Sequence, residues 1–224
     1  MIKKILKENW IYMLIIILLI VSFIVIKNTS IYKYVVNFDY KVIEFFGNIS
    51  DKRLTAAMSF ITNFGDWYIP IIIIVCILLF IKNKWYFYLL SGSYLFSGIV
   101  VFITKNLVQR PRPLIALIEI PSSFSFPSGH TLTSLVFYIT LYYLMTEKTN
   151  TFVRIIFGFL FCFLICIVAF SRVCLGVHFF SDVVGGFLLG IPCLLCSINI
   201  IEKNLRRGWY ESISPRRWRS KRCI

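Results

Sequence analysis

Charge is what this 224-residue chain has least of. Asp, Glu, Lys and Arg make up 15% of it, against about 25% in an ordinary globular domain. Only ten residues are acidic, and only two are histidine. With 58% hydrophobic residues, this excludes disorder, which needs low hydrophobicity and high charge density. It also excludes a soluble fold, because a chain of this size cannot cover so much apolar surface. The seven cysteines are an odd number, and five of them (Cys76, Cys162, Cys166, Cys193, Cys196) sit in apolar runs as small packing residues. No structural disulfide is expected, and Cys223, second from the end, does not form a prenylation box.

What is there is apolar sequence in long blocks. Six charge-free segments stand out: Trp10–Ile26, Trp67–Ile81, Trp85–Thr104, Thr131–Thr146, Ile155–Phe170 and Val183–Ile201. With apolar flanks each approaches the roughly 17–25 residues that span a bilayer. The expected fold class is all-α, a polytopic membrane protein with six transmembrane helices. Lys3, Lys4 and Lys7 before the first segment resemble a signal peptide, but no small-residue cleavage site follows Ile26, so it reads as a retained helix.

Six spans place both termini on one side. With the termini inside, 15 of the 24 basic residues are cytoplasmic and 9 are outside, as the positive-inside rule requires. Residues 1–202 then form one domain, and 203–224 a basic cytoplasmic tail. Eight basic residues in that tail, with Trp209, Tyr210 and Trp218, read as an anchor for anionic inner-leaflet lipid. No nucleic-acid fold precedes it, so no nucleic-acid partner is expected. In the first outer loop, Lys27–Asp66, the stripe Leu54, Ala57, Met58, Ile61 has helical spacing, and Ser50 is placed to cap its start. One or two short helices lying on the outer surface are expected there.

The scarce polar residues fall into three clusters on one face of this topology. The first is Lys105-Asn-Leu-Val-Gln-Arg110-Pro-Arg112-Pro113 and the second is Pro127-Ser128-Gly129-His130. The third runs from Ser171-Arg172 through His178 to Asp182. Taken singly, each has a bland reading: a positive helix-breaking loop, a turn, a capped helix end, a structural hydrogen bond. Together they form a ring suited to phosphate. Arg112 and Arg172 offer planar forks that match phosphate oxygens, and Lys105 adds a point charge. Ser128 and Gly129 stand at a helix N-terminus, where free N–H groups meet an anion. His178 and Asp182, four apart, share a face if helical. Asp182 can then hold one ring N–H and leave the other nitrogen as a nucleophile. His130 is free to act as general acid.

Lys105-x6-Arg112-Pro113, Pro127-Ser128-Gly129-His130 and Ser171-Arg172-x5-His178-x3-Asp182 resemble the three-part signature of the type 2 phosphatidic acid phosphatase superfamily. All three parts match, within residues 105–182. The resemblance implies that Lys105, Arg112, Ser128, Gly129 and Arg172 bind phosphate. It implies that His178 is the nucleophile, Asp182 its orienting partner and His130 the acid. It also implies that no metal or other cofactor takes part, and with both histidines committed no second carboxylate cluster supplies a magnesium or zinc site.

A transporter would place ionisable groups at mid-membrane depth, and the six runs hold none. A non-catalytic lipid-binding protein with a relic site is the other alternative, and the intact signature argues against it. The expected substrate is a membrane lipid phosphate, whose head group can reach an outward-facing site with its chains still in the bilayer. Among undecaprenyl diphosphate, phosphatidylglycerol phosphate and phosphatidic acid, the first suits an outward-facing site. Arg110, outside the signature, reads either as a solvated loop charge or as extra positive charge for a diphosphate. The sequence sets no oligomeric state.

Overall fold

The computed structural model describes residues 2–213, with side chains over 8–203. Among these residues it is all-helical: α1 (Ile2–Lys27), α2 (Ile31–Ile49), α3 (Lys52–Thr62), α4 (Tyr68–Phe80), α5 (Lys84–Val108), α6 (Gly129–Thr146), α7 (Thr151–Cys174) and α8 (Phe180–Ile213). A single 3-10 turn, Asn63–Gly65, joins α3 to α4. Residues 214–224 of the basic tail lie outside the described residues, and the α8 backbone runs through Lys203 to Ile213.

Four stretches are long and apolar enough to cross a membrane: Glu8–Lys27, Lys84–Val108, Thr151–Cys174 and Phe180–Lys203. Lys52–Gly65 and Tyr68–Phe80, bent by 43° at their junction, make a fifth if taken as one span. The expected span Thr131–Thr146 forms α6 but does not meet the same standard. The reason lies in its position. α6 packs against α5, α7 and α8, and Leu132, Val136 and Phe137 on it are fully buried. A helix walled in by protein can carry Thr131, Ser134 and Thr140, all buried, where a lipid-facing helix cannot. Outward faces of α1 and α7 show the complementary pattern, with Ile17, Leu18, Phe159 and Phe163 exposed.

The segment after α1 holds two helices, α2 and α3. α2 is 19 residues long, longer than the short elements expected. Helix α3 lays Leu54, Met58 and Ile61 against Cys174, Leu175 and Val177, so its apolar stripe packs under the turn that carries His178. Ala57, of the same stripe, is exposed. Ser50 is not the cap of α3. Asp51 occupies that place, its carboxylate accepting from the Leu54 N–H at 2.7 Å, while Ser50 ends α2.

Two glycines fix the loops around the polar end of the bundle. Gly176 has φ +66°, and a Cβ there would lie 2.3 Å from the Ile115 carbonyl oxygen. Only glycine tolerates both the left-handed backbone and that approach. Gly185 on α8 lets the Phe126 ring come within 2.3 Å of where a Cβ would stand. These contacts seat the 109–128 loop between α7 and α8. They place the backbone of one signature segment against another.

Candidate active site

Four helices and two of their connections deliver the site from the same end of the bundle. Lys105 comes from the last turn of α5, and Arg112 from the loop after it. Ser128 caps α6 and Gly129 and His130 open it. Arg172 lies in the last turn of α7, His178 in the α7–α8 turn and Asp182 in the first turn of α8. The Ser128 hydroxyl accepts from the Thr131 N–H, the N-cap contact that ends the loop. The Ser128 N–H donates to the Asp182 carbonyl at 3.0 Å, locking the start of α6 to the start of α8.

His178 is the hub. Its Nε2 lies 3.1 Å from Arg112 Nη1. A guanidinium can only donate, so Nε2 carries the lone pair and the ring proton sits on Nδ1. Nδ1 faces the Asp182 carboxylate at 3.5 Å, longer than an ordinary hydrogen bond. His178 is outside α8, so the pair is held across a turn and not along a helical face as its spacing implied. Burial first, then Arg172 and Arg112, push the imidazole down to about 3 against the pull of Asp182. It is therefore neutral near pH 7, the protonation state a nucleophile needs.

Of the three cations at this end, Arg112 touches this nitrogen. Arg112 Nη1 also donates to the Val177 carbonyl at 2.6 Å, and its Nε and Nη2 donate to the carbonyl and hydroxyl of Ser123 at 2.7 and 3.1 Å. Burial lowers the pKa of Arg112, opposed by Asp182. The Lys105 ammonium donates to the Ser123 hydroxyl at 3.2 Å and to the Phe124 carbonyl. Arg172 is buried, at 4% exposure. Its Nη1 donates to Thr62 Oγ1 at 2.7 Å, and its Nε has no protein partner.

Sequence reasoning missed four residues at this end. Asp66 lies 2.9 Å from His130 Nε2, and Thr62 holds Arg172. Ser125 donates to Asp182 through its hydroxyl. Asp39, on α2, is fully buried. The only available signal for Asp39 and Asp66 was that each is one of ten acids in an apolar chain; nothing in the spacing tied them to the signature. Arg110 is not a solvated loop charge. It is 3% exposed, with Nη2 on Asp39 at 2.7 Å and Nη1 on Asp182 at 2.6 Å. Among the described residues, no group of three or more His, Cys, Asp or Glu side chains is placed as a metal site.

The arrangement offers an unprotonated imidazole nitrogen in contact with Arg112, two further cations at the same end of the bundle, a carboxylate behind the ring and a second imidazole beside Asp66. That is the equipment for phosphoryl transfer. Comparison with known proteins agrees. The PAP2 superfamily profile matches residues 85–206. Phosphatidylglycerophosphatase B of Bacillus subtilis is 33% identical over 147 residues, 62% of this chain and 70% of that protein. An undecaprenyl-diphosphatase of Sulfolobus acidocaldarius is 28% identical over 153 residues, 66% and 70% of the respective chains. The crystal structure of a transmembrane PAP2 type phosphatidylglycerolphosphate phosphatase from Bacillus subtilis superposes with a TM-score of 0.75 at 25% identity, over 84% of this chain and 94% of that one. LpxE of Aquifex aeolicus shares the fold at a TM-score of 0.54 and 22% identity, over 73% and 94%. The three-part signature, the geometry around His178 and the length of the match agree: this chain belongs to the PAP2 superfamily, as a membrane-embedded lipid phosphatase.

Proposed function

We propose that the protein hydrolyses a lipid phosphate through a phosphohistidine on His178. The observation that carries this reading is the buried His178 Nε2, 3.1 Å from Arg112 Nη1, at the end of the bundle that also carries Lys105 and Arg172. Phosphate oxygens take over as acceptors for Arg112 and Lys105, which now donate to Ser123 and Phe124, and for the unpartnered Arg172 Nε. Ser128 and Gly129 supply the helix N-terminus at the same place. Nε2 attacks phosphorus, the P–O bond to the leaving group breaks, and His130 gives that oxygen a proton. Water then attacks the phosphohistidine with His130 as base, releasing phosphate and restoring Nε2. Asp182 stabilises the positive charge the imidazole gains. The cations stabilise charge on the equatorial oxygens, which supplies most of the rate enhancement in this chemistry. No step in this scheme requires a metal ion.

In the membrane, α1, α4, α5, α6, α7 and α8 form six spans, with both termini in the cytoplasm. The site lies at the outer face, with α2 and α3 near that boundary. Support comes from the charge asymmetry and from Lys27, at the far end of α1 from Lys3, Lys4 and Lys7. Lys27 donates to the Val108 carbonyl at 2.5 Å, which puts it at the site end. Residues 1–202 act as the phosphatase domain, and 203–224 as a tail for anionic inner-leaflet lipid. Labelling of a cysteine placed at Ser122, from outside intact cells, supports this topology; labelling only after permeabilisation reverses it.

The substrate reading turns on Arg110. Both its Nη groups are committed to carboxylates, which weakens the case for a cation on the second phosphate of a diphosphate and favours a terminal glycerolipid phosphomonoester such as that of phosphatidylglycerol phosphate. Undecaprenyl diphosphate is the second reading, favoured by an outward-facing site. The test is phosphate release by purified protein in EDTA across these two lipids and phosphatidic acid. At least tenfold higher kcat/KM on the diphosphate reverses the order. Strict dependence on added magnesium, or no acid-labile phosphoenzyme at His178, removes the mechanism.

A further inference from the structure

We infer that Arg110 and Asp39 are positioning residues for the reaction, a buried relay that aims the Asp182 carboxylate at His178 and ties it to helix α2. The inference rests on His178 being the nucleophile, as proposed above.

Asp182 makes more contacts than orienting a histidine needs. One carboxylate oxygen accepts from Arg110 Nη1 at 2.6 Å. The other accepts from the Phe179 N–H at 2.9 Å and from the Ser125 hydroxyl, and it is this oxygen that faces His178 Nδ1. Turning Asp182 away from the histidine therefore breaks the contact to Arg110. Arg110 is itself held through both Nη groups and one ring face, while its buried Nε has no protein partner. Its Nη2 meets Asp39 at 2.7 Å and its Nη1 also donates to the Ser181 hydroxyl at 2.7 Å. The guanidinium carbon lies 4.2 Å from the centre of the Phe179 ring and 5.6 Å from that of Tyr32.

Asp39 closes the circuit. Its carboxylate accepts from the Ser181 N–H at 2.9 Å, one of the free amides at the start of α8, and from the Ser181 hydroxyl. A carboxylate at 0% exposure on an otherwise apolar helix face beside Ile43 is costly unless paired. One guanidinium shared by two buried carboxylates leaves the trio one negative charge, compensated by these donors and by the cations beyond His178. The Arg110 fork spans two acceptors at fixed geometry, which an ammonium cannot do. Neither of its Nη groups is free for phosphate. Both forks of the arginine two residues before Arg112 thus serve carboxylates, one of them Asp182.

Kinetics of the full-length protein in detergent, with phosphatidylglycerol phosphate as probe, test this. Asp39→Asn keeps the shape and one cation for Asp182; kcat is expected to fall about three- to tenfold with KM within twofold and little change in melting temperature. Arg110→Met leaves two unpaired carboxylates, and kcat is expected to fall about a hundredfold. Arg110→Lys recovers part of that loss and Arg110→Gln none. In single-turnover measurements the loss appears in phosphoenzyme formation, the step in which His178 attacks.

Wild-type kcat in Asp39→Asn and Arg110→Gln overturns the inference. So does a KM raised tenfold or more at unchanged kcat, which would make Arg110 a phosphate ligand. If Arg110→Met does not fold, Asp39→Asn decides alone: loss of kcat at an unchanged melting temperature supports the relay, and wild-type kcat overturns it. Wild-type protein that turns over without a phosphoenzyme on His178 overturns the phosphohistidine reading instead, which keeps the two failures distinct.

Discussion

The two ends of the bundle handle charge in opposite ways. At the site end, Asp39, Arg110, Asp182 and His178 are all buried, and each carboxylate has several donors. At the other end, Lys203 reaches Glu8 at 3.3 Å with side chains 41% and 30% exposed. There Tyr86 donates to Glu147 at 2.9 Å, and Tyr143 to Glu202 at 3.1 Å. Removing one partner of a buried pair strands the other without solvent, at about 3–5 kcal/mol. Exposed pairs are screened and worth roughly 0–1 kcal/mol. The difference teaches where position is enforced: side chains are held in place at the site end, and only loosely tethered at the other.

The largest break in that comparison comes from the hub. His178→Ala is expected to lower phosphate release by at least about 10³-fold, as removal of a nucleophile does, while the helical content by circular dichroism stays unchanged. Measurable turnover above one per cent of wild type sinks the assignment. Arg172→Ala comes next. It removes a buried guanidinium proposed to bind the transferring group and should cost roughly 2–4 kcal/mol of transition-state stabilisation. The measurement is kcat/KM on the preferred lipid, and a change under fivefold argues that Arg172 only braces Thr62.

Acid sharpens the contrast through stability. The pKa of His178 falls from 6.5 to about 3 on folding, through burial first. The unfolded chain therefore binds a proton that the native state refuses. The contribution is fully present above pH 6.5 and is lost as pH falls toward 3. At pH 5 this amounts to about 2 kcal/mol at ~1.4 kcal/mol per unit. Wild-type protein in detergent should lose melting temperature between pH 6.5 and 5 more steeply than His178→Asn. Parallel curves would mean the imidazole is not buried neutral.

Smaller effects follow at the margin of the site and beyond it. Asp66→Asn leaves His130 in place but removes the negative partner at 2.9 Å; kcat should drop about tenfold, part of the ~10²–10⁴ that general acid–base catalysis supplies. Wild-type kcat would show that His130 needs no carboxylate. Lys203→Met should do least: kcat unchanged and stability within roughly 1 kcal/mol, by thermal melts in detergent. A loss as large as that of Asp39→Asn would erase the difference between the two ends.

How far the sequence reached depended on what each residue's neighbours in the chain could reveal. The apolar runs gave an all-helical membrane protein because lipid forces every backbone group to bond within its own segment. Charge scarcity made the signature stand out, and Lys105, Arg112, Ser128, Gly129, His130, Arg172, His178 and Asp182 do gather at one end of the bundle. Local spacing failed where a contact crossed elements. The i, i+4 pattern put His178 and Asp182 on one helical face, yet α8 begins at Phe180 and a turn makes the pair. Ser50 was an equally good cap by residue type, and the backbone chose Asp51 one position on.

By itself the sequence determined class and family and singled out the candidate reacting groups, since these follow from composition and from side chains whose chemistry needs no neighbour to define it. Tertiary structure decided the rest. It turned Arg110 from a loop charge into the bridge between Asp39 and Asp182, 71 and 72 residues away in sequence. It also gave His130 its carboxylate from beyond the signature. The physical reason is that a charge's role is set by what desolvates and pairs it, and those partners arrive from other helices only when the chain has packed.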